Sequence, residues 1–221
     1  MTDFPITDRN RVRRVPKRAT YDHDTVYAIV DAAMICHVGL AIDGQPVVIP
    51  TIHARDGDTL LLHGASTSRL LTTAGQGVPL CVTVTHLDGL VLARSVFHHS
   101  MNYRSAVLYG QGHLIDDPDE KMRALEIFTE KLIPGRWQDA RQPNATEIKA
   151  TAVVAVPIES ASAKVRTGPP VDDEEDYALP VWAGVLPQRT QYGPLEADPR
   201  LTADPTPPDY LQRFVAEQRE K

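Results

Sequence analysis

Three Asp-Gly pairs, at residues 43–44, 56–57 and 88–89, each fall between short runs of apolar and β-branched residues, and they constrain the fold of this chain more than any other feature. Asp-Gly supplies the positive φ angles that tight hairpin turns need. MICHVGLAI, QPVVIPTIHA and DTLLLHG therefore read as three strands of an antiparallel meander joined by the first two pairs. The third pair is expected to join PLCVTVTHL to LVLARSVF as another hairpin, and SAVLYGQGHLI adds a strand, which makes about six by residue 115. TAVVAVPIES is a further strand, followed by an irregular edge segment near AKVRTG. Short strands at regular spacing with few helices indicate a closed or nearly closed antiparallel barrel.

The helices are few and their ends are marked. Asp22 or Asp24 can cap a helix with Val26, Ile29, Val30 and Ala33 on one side. STSRLLTTA predicts about two turns starting at Ser66 or Ser68 and stopping before Gly75. A longer helix is capped by Asp116 or Asp117, with Pro118 in its first turn and Met122, Leu125, Phe128 and Leu132 on one stripe, and it ends before Pro134-Gly135.

Residues 1–20 are polar and basic, with six Lys and Arg between Arg9 and Arg18, and read as an arm that lies on the body, lies on a neighbouring subunit, or stays solvated. Residues 21–186 form the barrel domain, and 187–221 a proline-rich tail (Pro187, Pro194, Pro199, Pro205, Pro207 and Pro208) with a short terminal helix. The acidic run Asp172–Asp176 reads as a solvated loop.

Composition narrows the function. The 221 residues are 42% hydrophobic and 24% charged, enough for one buried core, and no run approaches the roughly 18–20 apolar residues of a membrane-spanning helix. The net charge of −6 repels polyanions, so neither a membrane nor a nucleic acid is an expected partner. Cys36 and Cys81 lie in apolar strand-like runs and read as buried thiols, without a disulfide framework or metal-ligand spacing. The basic N-terminus is followed by no apolar stretch, so the cytoplasm is the expected compartment.

Familiar motifs are absent: there is no P-loop, G-x-S-x-G, H-E-x-x-H or C-x-x-C. Gly110-Gln-Gly112 begins like a dinucleotide fingerprint but lacks the third glycine and leads into an acidic helix start. His98-His99 reads as a loop pair, because neighbours on a strand point to opposite faces, and no metal is expected. LLHGASTSRLL remains: a strand ends at His63-Gly64 and a helix begins among Ser66, Thr67 and Ser68, followed by Arg69. Hydroxyls, free N–H groups and a guanidinium suit a phosphate, while capping serines and a surface arginine are the plainer reading.

Taken in order, CHVGLAIDGQPVVIPTIHARDGDTLLLHGASTSRLL, NYRSAVLYGQGHLIDDPDEK and SAKVRTGPPVDDEEDYALPVWAGVLP resemble the flavin-binding split barrels related to pyridoxamine 5′-phosphate oxidase, in particular the nitroimidazole-resistance-like branch, over roughly residues 10–190. The resemblance implies a mainly β antiparallel split barrel with flanking helices, and a homodimer with FMN sites at its interface. It implies that Val48, Ile49, Pro50 and Thr51 run beside the isoalloxazine, that His63 and Gly64 lie by the flavin and ribityl chain, and that Ser66, Ser68 and Arg69 hold the phosphate. Ser105 matches a position whose polar side chain reaches the ring, and Trp182 a late tryptophan near the cofactor.

Two departures change the expectation. The family's phosphate patch reads Arg-Lys, whereas Arg69 is followed by Leu70, so Arg104 or an arginine of the arm is expected to substitute. The oxidase's Arg-x-His element is missing from LPQRTQYGPLEADPR, which argues against pyridoxamine phosphate oxidation. The resemblance thus implies an FMN-dependent oxidoreductase acting on a small electrophile such as a nitro compound or quinone, with His63 as proton relay and Tyr103 and Arg104 on the substrate side. The alternatives are a flavin-storing or sensing module without turnover, a deazaflavin in the same cleft, or haem with His63, His98, His99 or His113 as axial ligand.

Overall fold

The computed structural model describes residues 3–201 and 206–219; residues 1–2, 202–205 and 220–221 of the expected arm and tail, Pro205 among them, lie outside the described residues. Nine strands form one antiparallel sheet: β1 (Ala19–Thr20), β2 (Ile35–Ile42), β3 (Gln45–Asp56), β4 (Thr59–Ala65), β5 (Gln76–Leu92), β6 (Ser100–Leu114), β7 (Thr151–Pro157), β8 (Ser160–Arg166) and β9 (Gly184–Pro187). Six helices flank it: α1 (His23–Ala32), α2 (Arg69–Ala74), α3 (Pro118–Leu132), α4 (Arg136–Asp139), α5 (Ala145–Ala150) and α6 (Asp209–Arg219). No helix among the described residues is long and apolar enough to cross a membrane.

The sheet closes on itself because β6 pairs with β5 along most of its length and with β7 at His113 and Leu114, completing a ring β6-β7-β4-β3-β2-β5. Closure removes the free edges that an open sheet would expose. Two joints of this ring are short: β2 meets β5 only over His37–Gly39, and β3 meets β4 only over His53–Asp56. The barrel is therefore split, with β8 and β1 continuing from β6 on one side and β9 from β5 on the other.

Capping is local and matches the side chains available. Asp22, Ser68 and Asp117 accept from the backbone N–H of Thr25, Leu71 and Glu120 and so start α1, α2 and α3. Inside the barrel, Leu60, Leu62, Leu80, Val82, Val84 and Val154 pack with Val26 and Val30 of α1 and Leu70 and Leu71 of α2, each side chain contributing about 1.5–3 kcal/mol by its burial. Outside, Ala124 and Phe128 of α3 cover Ala54, Leu61, Val153 and Ala155.

Several expectations are corrected. Asp88-Gly89 is not a turn: β5 runs straight through it with a register shift between Leu87 and Gly89, and the Asp88 carboxylate instead takes both Nε and Nη2 of Arg104 at 3.0 and 2.8 Å. A bulge absorbs the extra residue where the partner strand continues, so the hairpin signal is overridden. The AKVRTG segment is not an irregular edge but the end of β8, paired with β6 from Tyr109↔Ser160 to Tyr103↔Arg166. Asp172 is not solvated; its buried carboxylate accepts from the N–H groups of Arg94 and Ser95 at 2.9 and 3.1 Å and pins that loop. Cys36 is buried as expected, whereas Cys81 is half-buried. The arm lies on its own body: Phe4 is buried and stacks on His23 at 3.8 Å, and Asn10 Nδ2 donates to the Ala161 carbonyl at 3.0 Å.

The abandoned Gly110-Gln-Gly112 motif has a packing explanation. A Cβ at Gly110 would lie 2.1 Å from the Pro157 carbonyl oxygen, and one at Gly112 2.7 Å from that of Ala74, so these glycines let β6 turn from β8 towards β7. Gly110→Ala is expected to cost about 1–3 kcal/mol from overpacking, read as a lower midpoint in denaturant or thermal unfolding. An unchanged midpoint would mean that the strands can separate there freely.

Candidate functional site

β3 is twelve residues long, but its pairing with β4 stops at His53↔Leu62. From Ile52 back towards Val48 it stays bonded to β2 alone, so the backbone groups that alternate towards the β4 side lack a strand partner there. The N-terminal turn of α2 enters the gap that opens. The result is a cleft of about 290 Å³ lined by Ile49, Pro50 and Thr51 from β3, His63 and Gly64 from β4, and Ser68 and Arg69 at the start of α2, with Leu70 and Leu71 behind them.

Seven of the expected residues thus converge on one space. Four do not line it. Val48 is exposed on the outer face beside Gly39; Ser66 lies just outside, its N–H donating to the Ala150 carbonyl at 2.8 Å; Ser105 is on β6 between Thr85 and Lys164; and exposed Trp182 leans over Gly184. Sequence reasoning did not single out Leu71, whose Cδ1 would come within 3.1 Å of a Cβ at Gly64; bare backbone there keeps the cleft wall close to α2.

The polar equipment is sparse. Ser68 Oγ accepts weakly from Leu71 N–H at 3.5 Å, which leaves its own O–H free to donate. Arg69 forms no ion pair among the described residues and is the single cation lining the cleft. The cations expected to replace the missing lysine are engaged elsewhere: Arg104 holds Asp88, and Arg9 of the arm stacks over Tyr109 at 4.5 Å.

His63 packs its ring 4.2 Å from Phe128, and its Nδ1 is buried without a partner. An orphaned acceptor costs less than an orphaned N–H, which assigns the proton to Nε2. Burial also pushes its pKa below the ordinary 6.5. The neutral ring therefore presents a donor rather than a charge. The other histidines divide by their contacts: His53 and His86 bond the Val30 and Ile29 carbonyls at the end of α1, and His23 stacks on Phe4. His99 places Nδ1 3.0 Å from the Ser95 carbonyl, with Val96 and Phe97 of the same loop almost fully exposed. His98 Nε2 lies 3.2 Å from Asp173, and together with Asp176 they form, among the described residues, the one group of His, Cys, Asp or Glu side chains close enough to share an ion.

With that geometry, the comparisons become specific. The family model described as pyridoxamine 5′-phosphate oxidase matches residues 22–165, and the chain belongs to that family. Among solved structures, flavocytochrome Anf3 from Azotobacter vinelandii is 46% identical over 94% of this chain and 96% of that one, with a TM-score of 0.89. The FAD and haem binding protein from Mycobacterium smegmatis is 36% identical over 89% and 96%, with a TM-score of 0.85. A protein from Bacteroides thetaiotaomicron proposed to be a 5-nitroimidazole antibiotic resistance protein is 25% identical over 66% and 86%, at 0.55. No curated protein sequence matches the chain. The split-barrel class read from the sequence is the class of this structure.

The buried imidazoles set a pH dependence. His53, fully buried with its Nε2 against Val30 O and the Lys131 ammonium 3.2 Å away, is pushed down to about 4, by burial first and by Lys131 second. The unfolded chain binds protons on His53 below its ordinary 6.5 while the folded chain does not, so stability is full above 6.5 and falls as pH drops towards 4. The slope contributed is up to about 1.4 kcal/mol per pH unit. His53→Gln, which keeps an N–H for Val30, is expected to flatten urea midpoints across that window; an unchanged slope would place the titration elsewhere.

Proposed function

We propose that the chain binds a flavin in the β3–β4 cleft and acts as a flavin-dependent oxidoreductase on a small electrophilic substrate, as a dimer. The observation that carries the reading is the convergence of three elements on one cleft with apolar walls, an unpaired strand edge and a single guanidinium. A flat ring system with a polar rim and an anionic tail fits that equipment: Ile49, Leu70 and Leu71 offer apolar contact, the β3 backbone offers hydrogen bonds to the rim, and Arg69 with Ser66 and Ser68 holds phosphate. The two relatives with the highest identity quoted above are a flavocytochrome and an FAD and haem binding protein, which supports a flavin here.

A bound flavin supplies hydride and single-electron transfer. The chain's own residues do the rest: the β3 edge orients the ring, Gly64 keeps the wall thin beside Leu71, and His63 presents a neutral Nε2–H donor. A second copy is supported by the apolar outer face of β2 and β3, where cross-strand neighbours include Ile35 at 50% and Val48 at 65% exposure. FMN, the form expected from the sequence, satisfies the cleft by itself.

A haem group is the second reading, favoured by one imidazole. An axial histidine is commonly oriented by donating its other ring nitrogen to a backbone carbonyl, the arrangement that His99 Nδ1 makes with Ser95. That leaves Nε2 for the metal, beside the exposed apolar side chains of Val96 and Phe97.

The test is the absorbance of protein purified without added cofactor, with mass spectrometry of what denaturation releases. Flavin bands are expected, and Arg69→Ala is expected to weaken flavin binding about tenfold to a hundredfold without altering the circular dichroism. Unchanged affinity would move the phosphate away from Arg69. If haem is present, His99→Ala should abolish the Soret band and spare the flavin bands; a Soret band that survives would exclude His99 as ligand.

A further inference from the structure

A second groove adjoins the flavin cleft, and nothing in the reading so far uses it. It lies between α3 and α5, holds about 460 Å³, and is lined by Lys149, Lys121, Asp116, Asp119, Met122 and Ile148 among others. The connection to the cleft is a single hydrogen bond. Ser66, at the phosphate end, donates its N–H to the Ala150 carbonyl at 2.8 Å, and Ala65 pairs with Thr151 where α5 passes into β7. Lys149 is therefore one residue along the chain from the group that Ser66 touches.

We infer that the cofactor is the dinucleotide FAD, with its ADP half lying in the α3–α5 groove and Lys149 binding the second phosphate. This rests on the proposed flavin reading and specifies which flavin the site takes. Two independent observations point there. The first is charge: the cleft has one cation where the family pattern has two, and Arg104 and Arg9 are both occupied. Lys149 and Lys121 form no ion pair among the described residues, and an exposed ammonium beside Ser66 suits a pyrophosphate better than it suits the single phosphate of FMN.

The second is the chemistry of the groove walls. Met122 and Ile148 give an apolar surface of the kind that takes a purine face, and the carboxylates of Asp116 and Asp119 accept hydrogen bonds from ribose hydroxyls, the role an acidic side chain plays in dinucleotide sites generally. FMN would leave all of this without a partner. A free nucleotide would reach the groove but would have no reason to be continuous with the flavin cleft.

The test titrates the full-length chain, freed of bound flavin, with FMN and with FAD separately, following flavin fluorescence or heat. The native chain is expected to bind FAD at least about tenfold more tightly than FMN. Lys149→Ala is expected to raise the FAD dissociation constant about tenfold and leave that of FMN unchanged. Lys149 is exposed, so the variant should keep its fold, and matching circular dichroism and melting temperature check this. Adding Lys121→Ala should weaken FAD further, again without moving FMN. Equal affinities for the two flavins, or a loss in Lys149→Ala that is the same for both, would overturn the groove assignment and leave the flavin cleft standing. Failure of the native chain to bind either flavin would overturn both.

Discussion

The parting of β3 from β4 beyond His53 is the constraint on which the rest of this molecule depends. An antiparallel ladder that continued to Val48 would seal the barrel, and its backbone groups would be spent on one another. Because the ladder stops, the β3 edge is left with donors and acceptors facing a gap that only α2 enters. The gap is tolerable because α2 plugs the barrel end with Leu70, Leu71 and Ala74, all buried, while presenting Ser68 and Arg69 outward. One six-residue helix therefore both completes the core and furnishes the cleft, which ties the stability of the barrel to the shape of its site.

The remaining devices keep this split ring closed elsewhere. Gly110 and Gly112 allow β6 to change partners from β8 to β7, since any side chain at either position would meet a carbonyl oxygen of the neighbouring segment. The bulge at Asp88-Gly89 brings an aspartate against Arg104 on the paired strand, and buried Asp172 holds the Arg94–Ser95 loop through its backbone. These interactions remove charges that a sequence reading would offer to a ligand. What remains unpaired, Arg69 in the cleft and Lys149 and Lys121 beside it, is the more informative for that.

Much of the framework was legible locally. Asp22, Ser68 and Asp117 announce helix starts because a capping side chain acts on N–H groups two or three residues away, and the first two Asp-Gly pairs announce hairpins because the turn is contained in four residues. The third pair misled for the same reason. Whether Asp-Gly makes a turn or a bulge depends on whether a partner strand continues opposite it, and β6 lies beyond the reach of any local window. AKVRTG failed likewise, since its regular pairing partner is some sixty residues upstream in β6.

The candidate site divides along that line. By itself the sequence determined the element types, the membership of the split-barrel class and the seven residues that come together in the cleft, because each of these rests on short-range chemistry or on an ordered set of motifs. Only the tertiary structure decided that Arg104 is occupied by Asp88, that the His63 imidazole is buried against Phe128, and that Lys149 stands beside Ser66 although more than eighty residues separate them in the chain. Such facts are set by which strands pair across the ring, and ladder pairing between distant segments leaves no periodic trace in either of them.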